Sequence, residues 1–227
     1  MGTTTLSALD SVMDDAVLRV LDRYHRRIDA EKERRSREPR GERTSDRHGD
    51  RHSERHRDNM LAIGPQTGRF INIIARNLGA PRILELGTSF GYSTIWLADA
   101  ARAAEGDVVT MELHEHKSDY ARRMARSAGL STYVEFQVGD AIELIDRLSG
   151  PLDFVLFDHW KDLYLPSFEK LKRKLRPGAI LVADNMIYGG SRSGQRDYVE
   201  AVRSTPGMTS VLLPIGAGLE VSRFMPA

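Results

Sequence analysis

The chain contains no cysteine, and this absence excludes disulfide bonds and thiolate metal sites. No stretch approaches the roughly 18 to 20 consecutive apolar residues that a membrane-spanning helix needs. Residues 1–15 lack a basic stretch followed by an apolar run, so no signal peptide is predicted. From these absences we expect a soluble, cytoplasmic protein without a membrane partner.

An excess of charge of one sign is also missing. Lys and Arg number 33 and Asp and Glu number 32, which gives a formal net charge of +1. Composition therefore offers no general reason to expect a nucleic acid or a membrane surface as partner. The hydrophobic fraction of 41% is enough for a packed core, and 227 residues suit one domain, alone or with an extension.

The charged residues are concentrated near the amino terminus. We predict a charged, helical N-terminal extension or cover over residues 1–59 and a globular domain over 60–227. Within the cover, a helix with an apolar stripe is predicted from Leu6 to about Arg35. The almost wholly polar residues 42–57 form either a solvated helix or a mobile cover.

Three histidines in the cover are spaced four residues apart and could line one helical face: His48, His52 and His56. No carboxylate or cysteine completes an evident metal site with them. A solvated, charged face is therefore the favoured interpretation.

From residue 60 onward, short apolar runs alternate with helical stretches. Strands are predicted at 82–86, 107–112, 133–138, 152–158 and 179–184. Helices are predicted at 67–77, 92–103, 118–128, 141–148, 165–174 and 195–203, with a loop at 176–178. The runs 210–214 and 219–224 predict a closing hairpin. This alternation predicts an α/β fold with seven strands, mostly parallel, one antiparallel edge strand and helices on both faces.

Two of the predicted strands end in a carboxylate. Asp158 follows one apolar run, and Asp184 and Asn185 follow the next. If the two strands are neighbours, these side chains meet at the carboxyl edge of the sheet, where open α/β sheets bind ligands. Carboxylate and amide oxygens suit Mg²⁺ rather than zinc. The pattern indicates a metal-dependent enzyme with Lys161 beside the metal.

The other strand ends also carry candidate ligand contacts. Gly87 and Gly91 allow a sharp turn and close backbone approach to a ligand, but the spacing is not the dinucleotide fingerprint, and a simple tight turn is the alternative. Glu112 could accept hydrogen bonds from two ribose hydroxyls, or it could be a solvated strand-end acid. Asp140 is predicted as a helix N-cap, a ligand contact, or both.

Taken in order, four segments resemble the catechol O-methyltransferase family: 85–93, 111–112, 158–161 and 183–185. The resemblance covers roughly residues 60–224 and is especially close in the run Asp-His-Trp-Lys-Asp followed by Tyr-Leu-Pro. It implies a Rossmann-like class I methyltransferase of the bacterial type, dependent on S-adenosylmethionine and Mg²⁺. It also implies a homodimer, as a family-level expectation.

The resemblance implies a role for each matching residue. Cofactor contacts are expected from Ile63, Glu85, Gly87, Ser89, Gly91, Ser93, Glu112, Ala141, Asp158, His159 and Trp160. The Mg²⁺ ligands are expected to be Asp158, Asp184 and Asn185. Substrate contacts are expected from Glu220, Trp160 and Asn185, with Glu220 on the hydroxyl that is not methylated. Lys161 is expected to be the general base; the alternatives are a surface helix residue for Lys161 and an outward strand residue for Glu220.

The implied chemistry is consistent with these residue types. Both hydroxyls of a catechol can chelate one Mg²⁺, which lowers the pKa of the hydroxyl. Lys161 can then take the proton, provided that its own pKa is lowered by the nearby cation and by burial. Holding the reacting groups in line is worth about 7 to 11 kcal/mol in well-oriented systems.

The sequence departs from the family pattern around the substrate. The residues after Asn185 lack the proline that gates the catechol in the animal enzyme, and polar residues near Asp58 and Asn59 replace a gating tryptophan. A wider pocket, or one closed by the N-terminal cover, follows from these changes. The first alternative to a small aromatic diol is therefore a larger substrate, such as a caffeoyl-type ester, a natural-product intermediate or a hydroxyuridine in tRNA.

Two further alternatives are disfavoured. Acids interleave with the basic residues before Met60, whereas a continuous basic stripe would be the stronger footprint of a nucleic-acid partner. A non-catalytic S-adenosylmethionine-binding module would have no chemical need for both the metal ligands and Lys161.

Overall fold

The computed structural model describes residues 13–37, 58–187 and 193–226. The start of the predicted first helix lies outside the described residues, as do the three histidines of the N-terminal cover. The predicted domain boundary after residue 59 stays a prediction. Among the described residues, no helix has both the length and the apolar character that crossing a membrane requires.

Seven helices and seven strands make up the main elements of the described chain. The helices are α1 Asp15–Arg37, α2 Pro65–Arg76, α3 Tyr92–Ala103, α4 Glu115–Ser127, α5 Ala141–Arg147, α6 Tyr164–Leu171 and α7 Ser193–Ser204. The strands are β1 Arg82–Leu86, β2 Asp107–Glu112, β3 Val134–Val138, β4 Leu152–Phe157, β5 Leu175–Ala183, β6 Met208–Leu213 and β7 Leu219–Phe224.

The strands form one sheet in the order β3-β2-β1-β4-β5-β7-β6. Strands β1 to β5 run parallel, and β7 runs antiparallel to both of its neighbours. The α/β fold with seven strands and helices on both faces is thus confirmed. The antiparallel strand, however, lies one place in from the edge, and β6 takes the edge position. Half of the residues of β7 are buried, whereas none of β6 is, as expected for an inner strand and an edge strand.

Strand β5 begins earlier than predicted. Pro177 and Gly178 were expected in a loop, because they usually interrupt regular structure. In the structure, the pairing of β4 with β5 shifts register between Leu152 and Phe154, so the extra β5 residues bulge out of the ladder. A bulge accommodates a proline without loss of a ladder hydrogen bond.

Two apolar layers cover the two faces of the sheet. On one face, α1, α2 and α3 supply buried side chains that include Tyr24, Ile71 and Trp96. On the other face, α5, α6 and α7 supply a second cluster that includes Tyr164 and Tyr198. The predicted apolar stripe of α1 is confirmed within the described residues, since Val17, Val20, Leu21 and Tyr24 are all buried. The first helix is therefore packed on the sheet domain.

Candidate active site

A cavity of about 420 Å³ lies at the carboxyl ends of the parallel strands. The strand order reverses between β1 and β4, which is the point where open α/β sheets bind their ligands. The loops that follow β1, β2, β3, β4 and β5 all reach this cavity, and α1 contributes one wall. The edge of the sheet at which the sequence predicts a ligand site is therefore the edge at which this cavity lies.

Most of the residues predicted from the sequence are brought together here. Those that line the cavity are Gly87, Ser89, Glu112, Ala141, Asp158, His159, Trp160, Lys161, Asp184 and Asn185. They come from five separate loops, yet they share one surface because parallel strands bring their carboxyl ends to the same edge. Asp140 lines the cavity as well and also caps α5, since its Oδ1 accepts a hydrogen bond from the Ile142 N–H at 2.8 Å.

The turn after β1 depends on glycine. Gly87 has a φ of +101°, and a Cβ added to it would lie 2.5 Å from the carbonyl oxygen of Asp158. The Asp158 N–H also donates to the carbonyl of Leu86 at 2.9 Å. The loops after β1 and β4 are therefore in direct contact, and only glycine at position 87 permits this closeness.

Glu112 is held by backbone groups on both of its oxygens. Oε2 accepts from the Ser89 N–H at 2.8 Å, and Oε1 accepts from the His114 N–H at 3.0 Å. Ser89 has a φ of +47°, a costly conformation for a residue with a side chain, which points its N–H at Glu112. Each carboxylate oxygen can accept more than one hydrogen bond, so this acid is preoriented to receive ligand hydroxyls.

The end of β4 and the end of β5 carry the predicted metal ligands. Burial raises the pKa of Asp158 well above its ordinary range; Lys161 opposes this shift and Asp184 adds to it. Burial also raises the pKa of Asp184. Among the described residues, the buried Oδ1 of Asp184 has no hydrogen-bond partner, while its Oδ2 accepts from the Asn185 side-chain amide at 3.0 Å. Two buried acids with one unsatisfied oxygen make a strongly cation-attracting pair.

Lys161 lies against this acid pair. Its Nζ is 3.6 Å from Oδ1 of Asp158, and the side chain is mostly buried. Nζ also donates a hydrogen bond to the Tyr164 hydroxyl at 2.6 Å.

Asn185 adopts a φ of +62°, so the backbone there is strained in a way that is frequent at functional sites.

Four of the predicted cofactor residues do not line the cavity. Glu85 is fully buried beneath it, where Oε2 accepts from the Thr94 and Thr110 hydroxyls at 2.5 Å each. Burial raises the pKa of Glu85, and a hydrogen bond from the Ser93 side chain opposes that shift. Glu85 and Ser93 thus bond to each other and to the floor of the site. Ser93 also lines a small pocket beside the main cavity. The direct contacts of these two residues with the cofactor stay predictions.

Gly91 and Ile63 also lie behind the surface of the main cavity. A Cβ at Gly91 would lie 2.6 Å from the Cβ of Ala121, so this glycine serves the packing of α3 against α4. Ile63 is buried in the apolar layer shared with α1. Both residues are therefore near the cavity without being part of its lining.

Glu220 is not among the residues that line the cavity, and its contact with the substrate stays a prediction. The carboxylate is fully buried and accepts from Arg203 Nε at 2.8 Å and Nη2 at 3.0 Å, and from the Ser210 hydroxyl at 2.6 Å. Glu220 pairs with Ala183 across the β5–β7 ladder. In that register its side chain is directed towards α7, which carries Arg203.

Several cavity residues were not predicted from the sequence. Ile28, Glu31 and Lys32 of α1 line the cavity, and so do Met60 and Lys117. The Glu31 carboxylate accepts a hydrogen bond from the Met60 N–H at 2.9 Å and thereby ties α1 to the segment before α2. No local motif could have identified these residues, because their position depends on how α1 docks onto α3 and α4. Tyr164 was part of the Tyr-Leu-Pro run, but its contact with Lys161 was not foreseen.

Comparison with known proteins gives consistent results. A family model described as O-methyltransferase matches residues 48–223. A catechol O-methyltransferase of Mycobacterium tuberculosis is 37% identical over 143 residues, which are 63% of this chain and 64% of that protein. One from Niastella koreensis is 33% identical over 67% of this chain and 70% of that protein. Caffeoyl-CoA O-methyltransferase 2 of Zea mays is 28% identical over 73% and 70%, respectively. The chain thus spans slightly less than two thirds of the first of these relatives.

Solved structures agree in fold. An O-methyltransferase from Bacillus cereus in complex with SAH has a TM-score of 0.67 and 29% identity, with 73% of this chain and 84% of that chain covered. An O-methyltransferase from Streptomyces achromogenes involved in tomaymycin synthesis, in complex with SAM, has a TM-score of 0.68 and 29% identity, with coverages of 73% and 82%.

Proposed function

The chain belongs to the O-methyltransferase family, and we propose that it is an S-adenosylmethionine-dependent enzyme of the catechol and caffeoyl-CoA type. In this proposal it methylates one hydroxyl of a vicinal aromatic diol with the help of Mg²⁺. The proposed substrate is a catechol or a close relative. The observation that carries the proposal is the buried pair Asp158 and Asp184 beside Lys161 in the wall of the cavity.

The donor set fits Mg²⁺. Asp158, Asp184 and Asn185 offer hard oxygen ligands, and Asp184 Oδ1 lacks a partner among the described residues. Within the same part of the chain, no three His, Cys, Asp or Glu side chains form a cage. Mg²⁺ is usually held by one or two carboxylates, with water and substrate oxygens in the remaining positions. A site in which the protein supplies only some of the ligands is therefore suited to Mg²⁺. When bound, the ion would orient the substrate oxygens and lower the pKa of the reacting hydroxyl.

Lys161 is the proposed general base. Its amine lies within the wall of the cavity and is mostly buried, so water does not surround it. The substrate hydroxyl would give its proton to Nζ, and the oxygen would form the new bond to the methyl carbon. The carbon–sulfur bond breaks in the same step, and its electron pair stays on sulfur. A positioned base typically contributes 10²- to 10⁴-fold to such a step.

The remaining cavity residues support a nucleoside-bearing cofactor. Glu112 has both oxygens preoriented by backbone N–H groups and can accept from the two ribose hydroxyls. Ala141, His159 and Trp160 line the same cavity, and in this proposal they surround the adenine ring. Gly87 lets the loop after β1 lie directly against the loop after β4, which brings two walls of the cofactor site together.

The experiment that tests this function is methyl transfer from S-adenosylmethionine to a panel of small catechols, with Mg²⁺ and with EDTA. We expect turnover that EDTA abolishes and that added Mg²⁺ restores, with monomethylated product. Metal-independent turnover would contradict the proposed role of Mg²⁺. Cofactor binding without methylation of any catechol would contradict the proposed substrate.

A second candidate is a larger caffeoyl-type ester. Two observations favour it: the relative from Zea mays is a caffeoyl-CoA O-methyltransferase, and Arg203 holds Glu220 away from the cavity. Without that carboxylate, a small catechol has one protein contact fewer. The ratio of kcat/KM for a caffeoyl ester to that for catechol decides between the two candidates, and a ratio well above one favours the ester.

A further inference from the structure

Tyr164, the first residue of α6, is fully buried, and its hydroxyl meets three groups at once. The carbonyl oxygen of Phe157 lies 2.7 Å away and that of Asp184 lies 3.1 Å away. The amine of Lys161 lies 2.6 Å away. A buried hydroxyl thus connects the proposed base to the ends of the two strands that carry the acid pair.

The roles of these groups follow from their hydrogens. A phenol has one proton to donate, and the two carbonyl groups can only accept. The Tyr164 proton is therefore directed to the carbonyls of Phe157 and Asp184. Towards Lys161 the hydroxyl acts as an acceptor, so the amine must donate one of its hydrogens to Tyr164.

The contact with Tyr164 fixes the position of the amine nitrogen. Lys161 Nζ also lies 3.6 Å from Oδ1 of Asp158. The buried hydroxyl and the neighbouring carboxylate together define where the amine lies in the wall of the cavity.

The ring of Tyr164 is itself held rigidly. It stacks on the His159 ring at a centroid distance of 5.2 Å and an interplanar angle of 17°. The rings of Tyr198 and Phe157 pack against it at 5.6 Å and 5.8 Å. A group whose own orientation is fixed by packing can hold a neighbour to within the small tolerances that catalysis requires.

We propose that Tyr164 is a positioning residue for Lys161: its hydroxyl anchors the amine to the ends of β4 and β5 and holds it at a fixed place in the wall of the cavity. The proposal rests on the proposed role of Lys161 as general base. Tyr164 itself touches neither substrate nor cofactor, because it does not line the cavity.

The test compares two variants that each lose one buried hydroxyl. Tyr164→Phe keeps the ring but removes the anchor, and the Phe157 carbonyl still accepts the Asp184 N–H at 3.0 Å. Tyr198→Phe is the matched control, because its hydroxyl is buried in the same aromatic cluster without a partner among the described residues. Thermal unfolding of both variants establishes that they fold.

For Tyr164→Phe we expect kcat on a catechol to fall about 10- to 100-fold, since small misplacements of a catalytic group cost up to that much. KM for the catechol and Kd for S-adenosylmethionine should stay within about twofold, because no contact with either is lost. Tyr198→Phe should leave all three values unchanged. An unchanged kcat in Tyr164→Phe, or an equal loss in both variants, would overturn the proposal.

A double-mutant cycle tests whether Tyr164 acts through the lysine. In a Lys161→Ala background, the additional Tyr164→Phe change should have almost no effect on the residual rate. A further loss as large as that in the wild-type background would mean that Tyr164 acts independently, and the proposal would fail.

Crystal structures of the two variants without substrate give a readout that needs no turnover. We expect Lys161 Nζ to move by 1 Å or more in Tyr164→Phe and to keep its place in Tyr198→Phe. An unmoved amine would overturn the positioning role whatever the activity. If the amine moves but the wild-type enzyme methylates no diol, the anchor is upheld and the proposed function fails.

Discussion

Among single residues, Lys161 has the most direct role in the proposed methyl transfer. Replacing it with Ala removes the proposed base but leaves Glu112 and the adenine-facing surface intact. We expect kcat to fall about 10²- to 10⁴-fold, the usual contribution of a general base. Kd for S-adenosylmethionine, measured by calorimetry, should change little.

A matched control for Lys161→Ala is available on the surface. Lys170→Ala removes an amine of the same kind that pairs with Asp146 away from the cavity. This variant should keep wild-type kinetics. Loss of cofactor binding together with turnover in Lys161→Ala would mean that the lysine is structural.

Glu220 provides a second prediction at this scale. Replacing it with Gln breaks the charged pair with Arg203, whose side chain is half-exposed and can be solvated. We expect the free energy of unfolding to fall by about 1 to 3 kcal/mol, the range for hydrogen bonds to charged groups. Because the carboxylate lies outside the cavity, kcat/KM on a catechol should remain within about twofold.

Urea denaturation and steady-state kinetics on the same preparation of Glu220→Gln check this. A large loss of kcat/KM at unchanged stability would instead support the predicted contact of Glu220 with the substrate. The variant thus distinguishes the contact implied by the family resemblance from the one seen in the structure.

A comparison of Glu220 with the two acids shows which side-chain positions the sequence can predict. Asp158 and Asp184 could be placed together because each ends an apolar run, and neighbouring parallel strands end at the same edge. The direction of Glu220 depends on the register of β7 against β5, and a shift of one residue would turn it to the other face. No local pattern encodes that register.

At the scale of elements, α1 is the least expected part of the site. It is amphipathic, as predicted, but only its docking shows that Ile28, Glu31 and Lys32 reach the cavity. His25 helps to hold it, since its Nε2 lies 2.8 Å from the Tyr92 hydroxyl of α3. Burial raises the pKa of Tyr92 to about 12, so that hydroxyl keeps its proton and can donate to neutral His25.

The His25 contact makes stability depend on pH in a definite direction. Burial lowers the pKa of His25 from 6.5, and Asp22 and Asp29 oppose the shift only in part. The unfolded chain therefore binds more protons than the folded chain below pH 6.5. The free energy of unfolding should fall as the pH drops from 6.5 towards the lower pKa of the folded state, with no contribution from His25 well above pH 6.5.

Urea denaturation of the wild type and of His25→Gln between pH 5 and pH 7.5 tests this. The variant does not titrate at this position, so the difference between the two curves isolates His25. A difference that stays constant across the range, or that favours the wild type at low pH, would contradict the expectation.

Element boundaries were predictable where local signals agree. Helix α3 begins and ends as predicted, because Gly91 in a left-handed conformation precedes its first turn. The start of β5 was missed because Pro177 and Gly178 signal a loop, while the structure accommodates them in a bulge. The sequence indicates the conformational preference of each residue, but pairing with a neighbouring strand can override that preference.

In the molecule as a whole, the alternation of strands and helices predicted the parallel sheet and the edge at which the cavity lies. The insertion of β7 between β5 and β6 could not be predicted, because both hairpin strands carry a similar apolar pattern. That insertion buries Glu220 beside α7 and leaves the cavity walls to α1 and to the loops after the five parallel strands.

The proposed function requires that the acids at the ends of β4 and β5 hold a divalent cation that methyl transfer needs. The most direct test is a Mg²⁺ titration of catechol methylation by EDTA-treated wild type and by Asp184→Asn, with S-adenosylmethionine affinity measured alongside. We expect saturable activation of the wild type, and at least about a tenfold higher Mg²⁺ requirement in the variant at unchanged cofactor affinity. Full turnover without metal, or the same Mg²⁺ requirement in both proteins, would contradict it.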